Sequence, residues 1–142
     1  MRTKIWSLTL TLGLLLVAAA ACKFSFTTAN ISSLKLGKDK SVSQEASSFA
    51  AGDTIYGVAQ ISNVPGKVKV TGRLVVVEVA GQQSGPIPGT ETTLDVPGSA
   101  AAIFTFTPPT NGWPAGKYKM EVLMMDENGE QKDQKTADFS VS

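Results

Sequence analysis

A period of two limits this chain more than any other feature. It is clearest in GKYKMEVLMM (116–125), where Tyr118, Met120, Val122 and Met124 fall on one side and Lys117, Lys119 and Glu121 on the other. That is the pattern of a strand with one buried face. Past residue 22 no stretch keeps a 3.6-residue period. Without an apolar stripe a helix has nothing to pack with, so the expectation is an all-β domain with its core between two sheets.

Strands are expected over 31–39, 54–62, 67–79, 91–96, 101–107, 116–127 and 130–141, each ended by turn residues such as Gly, Pro or Asn. Leu34 and Leu36 share a face of the first. In the third, Val68, Val70, Leu74 and Val76 oppose Lys67, Lys69, Thr71 and Arg73, and from Leu74 both faces turn apolar. Gly72 within it marks a bulge or a close backbone approach. KSVSQEASS (40–48) reads as a loop or edge segment, and AGQQSGPIPGT (80–90) as a loop. PPTNGWPAG (108–116) must connect strands, because proline blocks a ladder. Asn128-Gly129 suits a two-residue type I′ turn. That turn sets Tyr118 opposite Phe139, Met120 opposite Ala137 and Lys119 opposite Asp138. A slip by one residue would spoil both the apolar and the charged pairings.

The first 22 residues are built differently. Arg2 and Lys4 precede a mostly apolar run from Ile5 to Val17, then four alanines, Ala18 to Ala21. This is the layout of a secretory signal peptide, read here as an N-terminal signal helix. A spanning helix is the rival, but Ile5–Ala21 is only 17 residues and is interrupted by Ser7, Thr9, Thr11 and Gly13, at the short end of what crosses a bilayer. The run ends on Cys22, the only cysteine, which has no internal disulfide partner. Ala19-Ala20-Ala21-Cys22 resembles the lipobox of bacterial lipoproteins, departing from it at Ala19, where Leu is usual. The resemblance implies cleavage between Ala21 and Cys22, acyl chains on the Cys22 sulfur, and residence in the bacterial cell envelope. By the same resemblance Lys23, in place of a retaining Asp, implies sorting to the outer membrane. The alternative is small-x-small cleavage after Ala20 or Ala21, with Cys22 a chance residue of a discarded leader. One acyl chain holds only marginally, at about 0.8 kcal/mol per buried CH₂, whereas two or three retain a protein durably. The expected organisation is a signal peptide (1–21), a lipidated cysteine and tether (22–30), and one sandwich domain (31–142).

Removal of 21 residues leaves 121, and with Arg2 and Lys4 gone 11 basic residues face 12 acidic ones, a net charge of −1. Such a chain carries no basic surface for nucleic acid. It has no histidine, which removes Ser-His-Asp triads, Cys-His pairs and His-ligated metals. Ser32-Ser33-Leu34-Lys35 fits S-x-x-K, but on a strand positions i and i+3 point to opposite faces. Asp126, Asn128, Glu130 and Asp133 lack the Gly and Glu spacing of a calcium loop. No catalytic residue, cofactor or metal is expected.

GWPAGKYKMEV, followed by a hairpin ending in FSV, resembles the last strand pair of bacterial Ig-like and macroglobulin-type modules. This implies an Ig-like antiparallel β-sandwich of about seven strands and no activity. The antibody-type disulfide is absent. Trp113 is either an aromatic contact for sugar or protein or a plug closing one end. Tyr118 is placed for a tyrosine-corner bond. Pro86, Ile87 and Pro88 present an extended proline surface or a plain loop. The functional expectation is a non-catalytic, lipid-anchored extracytoplasmic binding or structural module. Its partners are the membrane, through Cys22, and an envelope protein or glycan. The alternative is an Ig-like protease inhibitor acting through loop 80–90.

Overall fold

The computed structural model describes residues 29–142, and among these there is no helix. The strands are β1 (Asn30–Gly37), β2 (Ser48–Phe49), β3 (Ile55–Ser62), β4 (Val68–Val79), β5 (Gly85–Pro86), β6 (Thr92–Val96), β7 (Ala101–Phe106), β8 (Gly116–Met125) and β9 (Gln131–Val141). Seven are full strands; β2 and β5 are two-residue strips. One sheet has the order β1-β3-β7. The other runs β2-β9-β8-β4, with β5 and β6 both along the far edge of β4. Every pairing is antiparallel except β2 with β9.

This is an immunoglobulin-like sandwich by its connectivity. With β1, β3 and β7 taken as strands A, B and E, and β4, β8 and β9 as C, F and G, the two sheets are ABE and CFG. Strand D, which would flank β7, has no counterpart among the described residues. The inner faces meet through Ile31, Leu36, Ile55, Ala59 and Ile61 from one side of the chain's alternation and Val70, Leu74, Met120, Val122 and Met124 from the other, all buried. Full burial of such a side chain contributes about 1.5–3 kcal/mol, and packing of this kind holds the two sheets together.

The terminal hairpin keeps the expected register: Tyr118 faces Phe139, Lys119 faces Asp138 and Met120 faces Ala137. Its turn differs. Asp126 N–H donates to Glu130 O, Gly129 alone has positive φ (78°), and Met125 pairs with Gln131. The connection is therefore a three-residue loop with Gly in the left-handed position, not a two-residue type I′ turn. Lys132 is bulged out, and this extra residue restores the register from Met124–Asp133 onward.

Segment 80–90 is likewise more ordered than a loop. Gly85 and Pro86 pair with Val76 and Val75, and Ile87 N–H donates to Leu74 O at 2.9 Å. Proline is tolerated there because Leu74–Ile87 is a hydrogen-bonded pair, so the nitrogen of Pro86 points away from β4. Gly72 marks a close approach: a Cβ there would lie 2.7 Å from the Phe104 ring. The bulge in β4 falls later, between Val76 and Glu78, and leaves Val77 45% exposed. A second bulge between Ile31 and Ser33 switches the parity of β1, so Ile31 and Leu36 both face inward.

Candidate functional site

Loops gather at the two ends of the strands. One end carries the start of β1, the 63–67 and 97–100 connections and the 126–130 turn; Val64 N–H donates to Ser99 Oγ and Ile61 N–H to Ala100 O across it. Ala21 and Cys22, the cleavage and lipidation positions, lie outside the described residues. Ala29, the first described residue, is buried at this end. It lines a cavity of 320 Å³ with Val64, Pro65, Val68, Asp126 and Lys132. The Asp126 carboxylate accepts from the N–H groups of Glu130 and Asn128, both at 2.9 Å, and lies 3.5 Å from Lys132 Nζ. The Glu130 amide above all, then that of Asn128 and the Lys132 ammonium, hold the Asp126 carboxyl below the usual range. Glu130 and Asp126 raise Lys132 in turn. The Asp126 carboxylate is thus occupied in shaping the turn, and no metal-holding group of three acidic, Cys or His residues exists among the described residues.

The other end carries 50–54, 80–84 and 107–115. Trp113 lies within it at 6% exposure. Its ring N–H donates to Asp53 O and its backbone N–H to Ala51 O, both at 2.8 Å. Gly112 (φ 78°) lets the chain pass Ala51 O, which a Cβ would approach to 2.9 Å. Trp113 therefore plugs this end of the sandwich and offers no free ring face. Beside it the Tyr118 hydroxyl donates to Pro114 O at 2.5 Å, a tyrosine corner; burial raises the phenol's pKa. Pro86 and Pro88 are exposed, while Ile87 packs against the core. With residues 85–87 engaged on β4, Ala80–Ser84 form the longest continuous exposed stretch of this segment.

Segment 38–47 folds back over the end of β1. Ala46 N–H donates to Leu36 O at 2.8 Å, and Gly37 bridges to Glu45. Val42 is buried with φ 46°, a conformation costly for a β-branched residue. Asp39 supports the turn through Ser41 Oγ and Ser43 N–H, and these two bonds hold its carboxyl below the usual range. A polar groove of 580 Å³ runs along Lys38, Asp39 and Ser43–Ser48. It contains no pair of groups arranged for acid-base or nucleophilic chemistry. Ser32 Oγ is 2.9 Å from Ser62 Oγ and lies with Lys35 on extended β1, so the S-x-x-K spacing does not join the two side chains.

The outer face of the larger sheet holds an ion network that the period of two alone did not disclose. Arg73 Nε donates to Glu121 Oε1 at 3.0 Å, its Nη2 also bonds Glu121, and Nη1 lies 3.5 Å from Glu91. Thr71 and Thr93 hydroxyls meet at 2.8 Å beside it. These contacts join β4 to β8 and β6 and are structural. Main-chain edges remain open on both sheets among the described residues: β6 pairs with β4 alone, and β7 pairs with β3 on one side and with no strand on the other.

No protein-family model and no curated protein matches the sequence. Among solved structures the chain is similar to an immunoglobulin-like protein of Pseudomonas aeruginosa, at 16% identity over 83% of this chain and 99% of that one, with a TM-score of 0.49. It is also similar to a Niemann-Pick type C2 protein of the Japanese carpenter ant (11%, 80% and 92%, 0.47). A third is the PmoD soluble domain of a Methylocystis species (18%, 84% and 94%, 0.44). At these identities no activity or ligand passes to this chain.

Proposed function

We propose that this protein is a non-catalytic binding or structural module held at an extracytoplasmic membrane surface of a bacterial envelope by acyl chains on Cys22. The observation that supports this reading most is the position of the only cysteine: it directly follows the small-residue end of the leader and is separated by seven residues from β1, which begins at Asn30. An extended tether of that length reaches at most about 29 Å, so the sandwich is kept beside the lipid. The ionisable groups of the described residues with shifted pKa values, Asp39, Asp53, Tyr118, Asp126 and Lys132, are engaged in turns and in the tyrosine corner. An envelope protein or glycan is the partner class, and the outer membrane is the destination that Lys23 favours.

Cys22→Ser tests the anchor. The unaltered chain should partition into detergent and start with an acylated cysteine by mass analysis. The variant should accumulate as unprocessed precursor or appear as a soluble product. A Cys22→Ser protein that enters detergent at the mature mass overturns the reading.

A further inference from the structure

We propose that β7 is a self-association edge, along which a second copy of this chain adds antiparallel about Ile103 and joins the two β1-β3-β7 sheets into one. Ala100 O accepts from Ile61 N–H. Because main-chain groups alternate sides along an antiparallel strand, Ala102, Phe104 and Phe106 then turn theirs toward β3. Ala101, Ile103 and Thr105 turn their N–H and C=O groups outward. These three residues are symmetric about Ile103. In a two-fold pair Ile103 meets its own equivalent and Ala101 meets Thr105 of the other copy twice. Each contact is a hydrogen-bonded pair with Cα atoms about 5.5 Å apart, so all six outward groups are satisfied at once.

The side chains favour the same partner. Natural edge strands are blunted by charges, prolines or bulges, yet β7 is AAIFTF with an unbroken register to β3. No charged residue lies between Asp95 and Lys117. A charged segment would find no counter-charge along this edge, whereas an identical strand desolvates no charge. Ile103 is 45% exposed, one of two large apolar side chains so exposed among the described residues. It stands beside half-buried Val58 on β3, and pairing would set the two Ile103 side chains together as the centre of an apolar strip. A parallel addition would be head-to-tail and would not close.

The contact is a single strand edge and falls in the weak, small class of interfaces. Confinement to one membrane raises the effective concentration; this part alone rests on the Cys22 anchor. The two-fold axis is normal to the sheet, so both tethers reach one bilayer when the sheet face lies along it.

The test is thiol crosslinking of the full chain carrying Ile103→Cys, with a short bismaleimide, in native membranes and again with the concentrated soluble product of Cys22→Ser. The expected product is a covalent dimer of this chain, with yield at least about tenfold above that of Gln82→Cys on the exposed 80–84 turn. Adding Thr105→Lys should cut the Ile103→Cys dimer about tenfold, while unchanged Trp113 fluorescence shows that the fold is kept. A dimer from the concentrated soluble form upholds the edge even if the anchor fails. Equal yields at positions 103 and 82, monomer only in both settings, or capture of a different protein by Cys at 103 overturns the proposal.

Discussion

β1 and β7 flank the same strand, β3, and each has one side turned away from it. The chain treats these sides in opposite ways. On β1, Ile31 N–H donates to Asp133 Oδ2 at 2.8 Å and Ile31 O accepts from Lys135 Nζ at 3.1 Å. A bulge follows directly, and segment 38–47 covers the end of the strand. Two charged side chains from the inner face of β9 thus stand in for a neighbouring strand and close the gap between the sheets. Among the described residues nothing of the kind faces β7. Inward charges and bulges are how sheet edges are kept from pairing, so one side of this sandwich is sealed and the other is left able to pair.

The largest expected effect strikes the β7 side alone. Gly72 lies beneath the Phe104 ring, three of whose atoms a Cβ would approach within 3 Å. The ring is rigid, so Gly72→Ala must lift β7 from the larger sheet. Overpacking of this kind costs about 3 kcal/mol, read as a fall in denaturant midpoint at unchanged m. Amide exchange should quicken along β7 before β1. An equal loss along both strands would show that the two edges are not independent.

The sealed side answers to a smaller change. Asp133→Ala leaves the Ile31 amide without its acceptor, at a cost of about 1–3 kcal/mol. Asp133→Asn keeps an acceptor oxygen and should recover most of that. Amide exchange at Ile31 is the direct readout: it should be fast in the alanine variant and slow in the asparagine variant. If both exchange as slowly as the unaltered chain, the carboxylate does not seal β1.

How far this contrast was legible in the sequence differs strand by strand. The inner register of the terminal hairpin was readable because Tyr118, Met120, Phe139 and Ala137 alternate with charged residues on both strands. The turn was not, because Asn-Gly serves both a two-residue turn and the left-handed end of a three-residue one; the distinguishing residue is Lys132, whose bulge has no local signature. Asp133 and Lys135 break the apolar series at inner-face positions, opposite Met124 and Val122. They do so because at that end β9 meets the backbone of β1, a contact more than 100 residues distant in sequence. The parallel strip of β2 on β9 is equally long-range and only two residues long, too short for any period. Gly72 was readable as a special position because glycine weakens a strand unless something approaches closely. The candidate binding residues show the limit of local reading: Trp113 has the same flanking prolines and glycines as a plug or as a contact, and only the 53-to-113 pairing decides. The open edge of β7 depends on the lack of a neighbour among the described residues, which no single strand's sequence can report.

The mildest perturbation tests whether the turn sets up the seal. Asp126 fixes the three-residue loop through the amides of Asn128 and Glu130 and faces the bulged Lys132, and this arrangement carries Asp133 and Lys135 to the β1 side. Its carboxyl sits below the ordinary value of 3.8, chiefly through the Glu130 amide. A depressed folded pKa means that the unfolded chain takes up the proton first. The stabilisation is therefore complete above the unfolded value and is lost as pH falls through the lower, folded one. Thermal melts from about pH 5 down to about pH 2 should show the unaltered protein losing stability more steeply than Asp126→Asn; Asp39 and Asp53, lowered by their own bonds, are common to both and cancel in the difference. The protection of the Ile31 amide, the intrinsic exchange rate at each pH divided by the observed one, should fall over the same range in the unaltered chain. Parallel melting slopes for the two proteins would detach the turn from the edge it is argued to position.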